Sequence, residues 1–233
     1  MKQIIRSIPI SILFSLLVAC GSDSSTTTAS SGTDTTSINH KSILKSGLYK
    51  ATSGGSYLGL VSKNEIKIKG QDGILEISIN TSKQSITGSG HSFINGKRGS
   101  LKVTGSFNNE NNGSMLDLHF IDNKILPENI KFRMWSDITN KGASLEQIKG
   151  KYTTVNQSID LEISALGTIK GHSQDGCDYT GDVEIPDPKI NIYKIYFTMK
   201  NCTSAGEYTA LASFLNENEL VTIGKNNSYK IYK

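Results

Sequence analysis

From about Ser42 onward, apolar and polar residues alternate with a period of two in almost every segment of this chain. Successive side chains of an extended strand point to opposite faces, so this spacing builds strands with one apolar face rather than helices. "NEIKIKG" alternates Ile66 and Ile68 with Glu65, Lys67 and Lys69. "GILEISIN" places Ile74 with Glu76 on one face and Leu75, Ile77 and Ile79 on the other. "SLKVTGSF", "SMLDLHFID", "SIDLEISALGTIKG", "NIYKIYFTMKN", "EYTALASFL", "ELVTIG" and "SYKIYK" follow the same rule. Between them stand turn-forming clusters such as "NNENNGS", "QDG" and "PDPK". Only Ser144–Gly150, "SLEQIKG", carries a helix-start pattern, and it is too short for more than two turns. Many short strands with frequent turns predict an all-β protein of antiparallel sandwich or barrel type.

Internal similarity divides that β region in two. "GLYKATSGG" at Gly47 resembles "GKYTTVNQS" at Gly150, and "LEISINTSKQSITGSGHS" from Leu75 resembles "LEISALGTIKGHS" from Leu161. His91-Ser92 then falls over His172-Ser173. The expected organisation is two tandem small β modules, at 41–135 and 150–233, joined by a linker over 136–149. Each module is expected to have its own core, so a fragment from about Ala143 should fold alone.

The first forty residues have a different character. Lys2 and Arg6 precede an apolar run from Ile8 to Ala19, interrupted by Pro9, Ser11 and Ser15. About 12 residues suits a signal peptide, whereas a spanning helix needs about 20. Leu17-Val18-Ala19-Cys20, followed by Gly21, resembles the bacterial lipobox. That resemblance implies a signal peptide over 1–19, cleavage before Cys20, a diacylglycerol on its thiol and an acyl chain such as palmitate on its amine. Several acyl chains, each contributing about 0.8 kcal/mol per buried CH₂, would hold the protein to a membrane. Gly21 rather than Asp after the cysteine implies sorting to the outer membrane. Residues 20–40 are rich in Ser, Thr, Gly and Asp and cannot bury enough apolar surface to offset their ordering entropy. They read as a flexible tether of roughly 25 Å.

Loss of residues 1–19 removes Lys2 and Arg6 and leaves 23 basic against 21 acidic residues. With no Lys/Arg stripe, nucleic acid is not an expected partner. If Cys20 carries lipid, Cys177 and Cys202 remain as an even pair in an oxidising setting, and a disulfide is expected. Closing such a loop stabilises a fold by about 3 kcal/mol in the chain-entropy account. The rival reading makes His172, Cys177 and Cys202 metal ligands, but no fourth ligand stands at zinc-like spacing, so no metal and no cofactor is expected.

The second module is similar to one found in uncharacterised proteobacterial β-rich lipoproteins. The resemblance rests on Gly150-Lys151-Tyr152, "TIKG", Gly176-Cys177-Asp178-Tyr179-Thr180-Gly181, Asn191-Ile192-Tyr193, Cys202 and Gly206-Glu207-Tyr208. It implies a β-rich surface lipoprotein and brings no activity, substrate or catalytic residue.

No catalytic constellation stands out. Ser89, His91 and Ser92 are neighbours in "GSGHS", but no strand-turn-helix elbow surrounds them. Asp175, Asp178, Asp182, Glu184 and Asp187 lack calcium-loop spacing. Tyrosines crowd the second module, and Tyr179, Tyr193 and Tyr208 are the candidate binding residues, because a ring offers area while its hydroxyl reaches water. The expected function is that of a non-catalytic envelope lipoprotein, anchored through Cys20, whose β modules bind a protein or envelope polymer. The alternative is an envelope enzyme, or an inhibitor or immunity-type lipoprotein, that uses a loop cleft.

Overall fold

The structure, a computed structural model, describes residues 43–71, 73–110, 113–121, 126–154, 158–224 and 227–233. The segments assigned above to a signal peptide, to lipidation at Cys20 and to a tether lie outside the described residues.

Among the described residues, sixteen strands form two closed antiparallel barrels of eight. The first comprises β1 (Gly47–Ser53), β2 (Leu58–Ser62), β3 (Glu65–Lys69), β4 (Gly73–Ser82), β5 (Ser85–Ile94), β6 (Lys97–Glu110), β7 (Gly113–Ile121) and β8 (Asn129–Met134). Each strand pairs with the next, and β1 closes on β8 with Tyr49 opposite Met134 and Ala51 opposite Phe132. Two short helices follow, α1 (Ser136–Thr139) and α2 (Leu145–Ile148). The second barrel runs β9 (Gly150–Thr154), β10 (Ile159–Ile163), β11 (Thr168–Ser173), β12 (Asp178–Glu184), β13 (Tyr193–Lys200), β14 (Gly206–Phe214), β15 (Glu219–Gly224) and β16 (Asn227–Tyr232), and β16 closes on β9. The expected all-β, two-module architecture is present, and of the two expected forms it is the barrel. Closure removes the unpaired sheet edges that a sandwich would keep.

The period-two pattern sorts residues to the inner and outer walls. Ile66 and Ile68 of β3, with Leu75, Ile77 and Ile79 of β4, fill the first interior. On β12 the exposed outer residues Asp178, Thr180 and Asp182 alternate with Tyr179, Gly181 and Val183. Apolar inside and polar outside is the reverse of the lipid-facing band of a membrane-spanning barrel.

A Gly-x-Tyr unit opens both barrels and recurs on β14. Gly47, Gly150 and Gly206 have φ of 152°, 147° and 154°, a region that disfavours any Cβ. Two residues on, each tyrosine folds back and donates its hydroxyl to the carbonyl four residues before it: Tyr49 to Lys45 (2.7 Å), Tyr152 to Ile148 (2.5 Å) and Tyr208 to Ser204 (2.6 Å). The motif is therefore a corner, in which the glycine turns the chain into the strand and the tyrosine ties off the turn.

The second shared segment does not sit where the repeat places it. "LEIS" lies on β4 in the first barrel but on β10, only the second strand, in the other. The similarity thus maps β4–β5 onto β10–β11, two strands out of step with the Gly-x-Tyr corners. An even offset preserves strand direction and wall, so Ser92 and Ser173 are both buried beside the outward-facing His91 and His172. The histidines share a local environment without sharing a position in the barrel order.

The barrels have separate interiors but are not independent of each other. Leu48, Leu60 and Ile74 on the outer wall of the first pack against Ile192, Leu211, Val221 and Ile223 of the second, with Ile138 between them. Lys67, also on that outer wall, is only 4% exposed. Its ammonium donates to Glu76 Oε1 (2.5 Å) and to the Thr209 carbonyl (3.4 Å), while Lys194 pairs with Glu65 at 3.0 Å.

The expected linker is built into this junction. The Leu48 N–H donates to Thr139 Oγ1 (3.1 Å), and the Asn191 N–H donates to the Thr139 carbonyl (2.8 Å). The buried Asn191 amide donates to the carbonyls of Ile138 (3.2 Å) and Phe214 (2.8 Å) and accepts from the Phe214 N–H (3.2 Å). Each barrel has its own core, as expected, while a fragment starting at Ala143 would lack α1 and expose the apolar outer face of β14 and β15. The short helix α2 forms where its pattern placed it, with Ser144 Oγ accepting from the Gln147 N–H (3.1 Å).

Candidate functional site

The second barrel is closed at one end and hollow at the other. At the closed end α2 supplies Ile148, which packs with Tyr152, Tyr193, Phe214 and Leu220. Tyr193 is fully buried there, and its hydroxyl donates to Gln147 Oε1 (3.0 Å) while accepting from the Ser144 N–H (3.4 Å). It stacks edge-on against Phe214, with ring centroids 5.8 Å apart. Burial pushes its phenol up to about 12, opposed by the Ser144 N–H. Tyr193 is thus a structural plug and not an accessible binding residue, a correction that follows from its inward position at the sealed end.

Toward the opposite end lies a cavity of about 470 Å³. Its walls are apolar, including Ile159, Leu161, Ile169, Ile195, Phe197 and Ile231. Space exists because β14 and β15 turn small residues inward: Ala210, Thr222 and Gly224 line it. The same two strands send Leu211, Val221 and Ile223 outward into the junction.

Polar groups gather at the mouth. Ser158, Gln174, Asp175 and Ser204 are among the lining residues, with Asp175, Gln174 and Ser204 exposed. Thr154 Oγ1 accepts from the N–H groups of Ser158 and Ile159, both at 3.1 Å, and so secures the rim where β10 begins. Ser173 Oγ donates to Asp175 Oδ1 and accepts from the Cys177 N–H (3.2 Å). The Tyr179 phenol is pushed up, mainly by burial and further by the charges of Asp175 and Tyr208, against a lowering hydrogen bond with Ser173.

The expected disulfide forms between Cys177 and Cys202, with Cα atoms 4.8 Å apart. It joins the β11–β12 turn to the β13–β14 turn, two parts of the rim, and both thiols are thereby unavailable to a metal. Among the described residues no group of three or more His, Cys, Asp or Glu side chains is placed to hold a metal ion.

Of the candidate tyrosines, Tyr179 and Tyr208 line the cavity and Tyr193 does not. Sequence reasoning missed Ala210, Thr222, Gly224 and the Ser173–Asp175 pair. The available signal was the run of small residues at alternate positions in "TALAS". His91 lies instead in an outer groove lined by Glu65, Lys67, Glu76 and Lys102 of the first barrel and Thr209 of the second. His172 is on the outer wall, 4.0 Å from Asp160.

Comparison of the chain with protein-family models, curated proteins and solved structures yields no match. No helix among the described residues is long and apolar enough to cross a membrane.

Proposed function

We propose that this protein is a non-catalytic, outer-membrane lipoprotein, anchored through Cys20, that binds a small, largely apolar molecule inside its second barrel. One observation carries the binding reading: an apolar cavity of about 470 Å³ with a polar mouth. Small-molecule sites commonly enclose about 300–1,000 Å³ of mostly apolar wall with a few placed polar groups. Eight strands is also the barrel size at which the interior either fills with side chains or holds one small ligand. A guest would enter apolar end first, since the far end is sealed by the Tyr193 cluster and most of the described polar lining residues, Ser158, Ser173, Gln174, Asp175 and Ser204 among them, stand at the mouth. Catalysis has little to work with, because His91 and His172 both lie on outer walls and neither lines the cavity.

A protein or envelope polymer as partner is a second reading, favoured by the outer groove around Lys67, Glu76, His91 and Lys102, whose polar lining suits a hydroxyl-rich or charged chain.

The test of the cavity is a fluorescence titration of the exported chain, made soluble by Cys20→Ser, with the neutral apolar dye N-phenyl-1-naphthylamine. Saturable one-to-one binding is expected, and Ala210→Phe should abolish it while leaving the far-ultraviolet circular dichroism unchanged. Linear, unsaturable signal, or a variant that binds as well as the parent, would sink the reading.

A further inference from the structure

The cavity has a chemically distinct side. Tyr179, Phe197 and Tyr208 stand next to one another on β12, β13 and β14, all turned inward. Register sets this row: Phe197 opposes Gly181 on one side and Tyr208 on the other. The Phe197 and Tyr208 rings stack at 5.4 Å and 17°, and the Tyr179 and Phe197 centroids are 6.1 Å apart. The row ends at the mouth beside the Ser173–Asp175 pair. Among the described residues that line the cavity, Asp175 is the only charged one.

Aromatic faces carry negative electrostatic potential and attract cations, more strongly as water is excluded. A carboxylate at the end of such a row adds attraction of the same sign. An anionic head would meet the Asp175 charge with no described cation lining the cavity to offset it.

We infer that the guest of the second barrel is an amphiphile with a cationic, ammonium-type head, held at the mouth by Asp175 and the Tyr179–Phe197–Tyr208 row, with its aliphatic chain in the apolar interior. The inference rests on the cavity reading above and adds the charge of the ligand. It is a binding assignment and involves no chemical step.

The test compares three 12-carbon amphiphiles as displacers of bound N-phenyl-1-naphthylamine, each below its micellar concentration: dodecyltrimethylammonium, dodecanol and dodecanoate. The ammonium compound is expected to displace the dye at a concentration about tenfold lower than dodecanol, with dodecanoate the weakest. In Asp175→Asn the ammonium-to-alcohol preference should shrink about fivefold, and Tyr208→Leu should shrink it about threefold. Equal displacement by all three, or tighter binding of dodecanoate, overturns the cationic assignment while leaving the cavity reading in place. An unchanged preference in Asp175→Asn also overturns the assignment. Absence of dye binding ends both readings.

Discussion

The two barrels share strand number, closure and opening corner, yet large side chains fill the first interior where the second is hollow. On its sixth and seventh strands the first barrel turns Leu101, Val103, Phe107, Leu116, Leu118 and Phe120 inward. The corresponding strands of the second barrel, β14 and β15, offer Tyr208, Ala210, Ala212, Phe214, Leu220, Thr222 and Gly224. Alternation decides which residues face in, and their size decides whether the interior fills. In β14 and β15 the bulk has moved to the outer wall, as Leu211, Val221 and Ile223, where it is buried against the first barrel. One strand pair thus serves the junction with its large residues and the cavity with its small ones.

Truncating an aromatic ring in each interior should separate the barrels most clearly. Phe132→Ala in the filled barrel removes a fully buried ring and is expected to cost about 3–5 kcal/mol in denaturant unfolding. Phe197→Ala only enlarges a space already present and is expected to cost about 2 kcal/mol or less. Equal losses would mean that the second interior is as tightly packed as the first.

Replacing both Cys177 and Cys202 with Ser comes next, at about 3 kcal/mol, because a 25-residue separation is no longer closed in the unfolded chain. The first barrel has no such covalent constraint among its described residues. Circular dichroism, compared with fluorescence of Trp135, the single tryptophan and a member of the junction cluster, shows whether the weakened barrel unfolds separately. Coincident transitions would make the apolar junction strong enough to couple the two.

The corners should then behave alike. Tyr152→Phe removes one hydrogen bond to a carbonyl four residues earlier, at about 1 kcal/mol, and Tyr49→Phe removes the same bond together with a hydrogen bond to Ser114, at slightly more. Tyr208→Phe, at a more exposed bond, should cost less. A large difference between the first two would show that the shared motif performs different work in the two barrels.

Alkaline pH offers the finest comparison. Burial pushes both Tyr49 in the first barrel and Tyr193 in the second up to about 12, against an ordinary value of 10.0. The folded state holds these protons more tightly than the unfolded state. Their contribution is therefore complete below pH about 10 and is lost as pH rises toward about 12. Thermal midpoints should be flat from neutrality to pH 9 and fall beyond pH 10, and Tyr49→Phe should blunt that fall. A midpoint that declines equally steeply in the variant would remove Tyr49 as a source.

The strands and their inward faces were legible because a period of two has one structural meaning, as in "NEIKIKG". Barrel and sandwich remained equivalent because closure depends on β1 meeting β8 and β9 meeting β16, pairs far apart in sequence that no local pattern encodes. The repeat marked the two modules correctly, and only its strand-by-strand alignment slipped, for a related reason. Any inward-facing hairpin favours residues like those of "LEIS", and an even strand offset leaves the pattern intact. Tyr179 and Tyr208 could be picked as binding candidates from composition, but Tyr193 could not be separated from them. Its burial is set by α2, which folds across the barrel end. The cavity itself was hidden in residue volume at Ala210, Thr222 and Gly224, a property that polarity patterning does not register.

Strands β14 and β15 have the cavity on one side and another barrel on the other, whereas the outer residues Asp160, Glu162, Lys170 and His172 of β10 and β11 face water. The cup is therefore unequally stiff around its circumference. If the second barrel takes the proposed guest, one slightly too large would press against a side already braced by Leu48, Leu60 and Ile74, and the wet side would bow outward instead. Accommodation of bulk is directional, and the amides of β10 and β11 are where an oversized guest should speed hydrogen exchange, while those of β14 and β15 keep time as before.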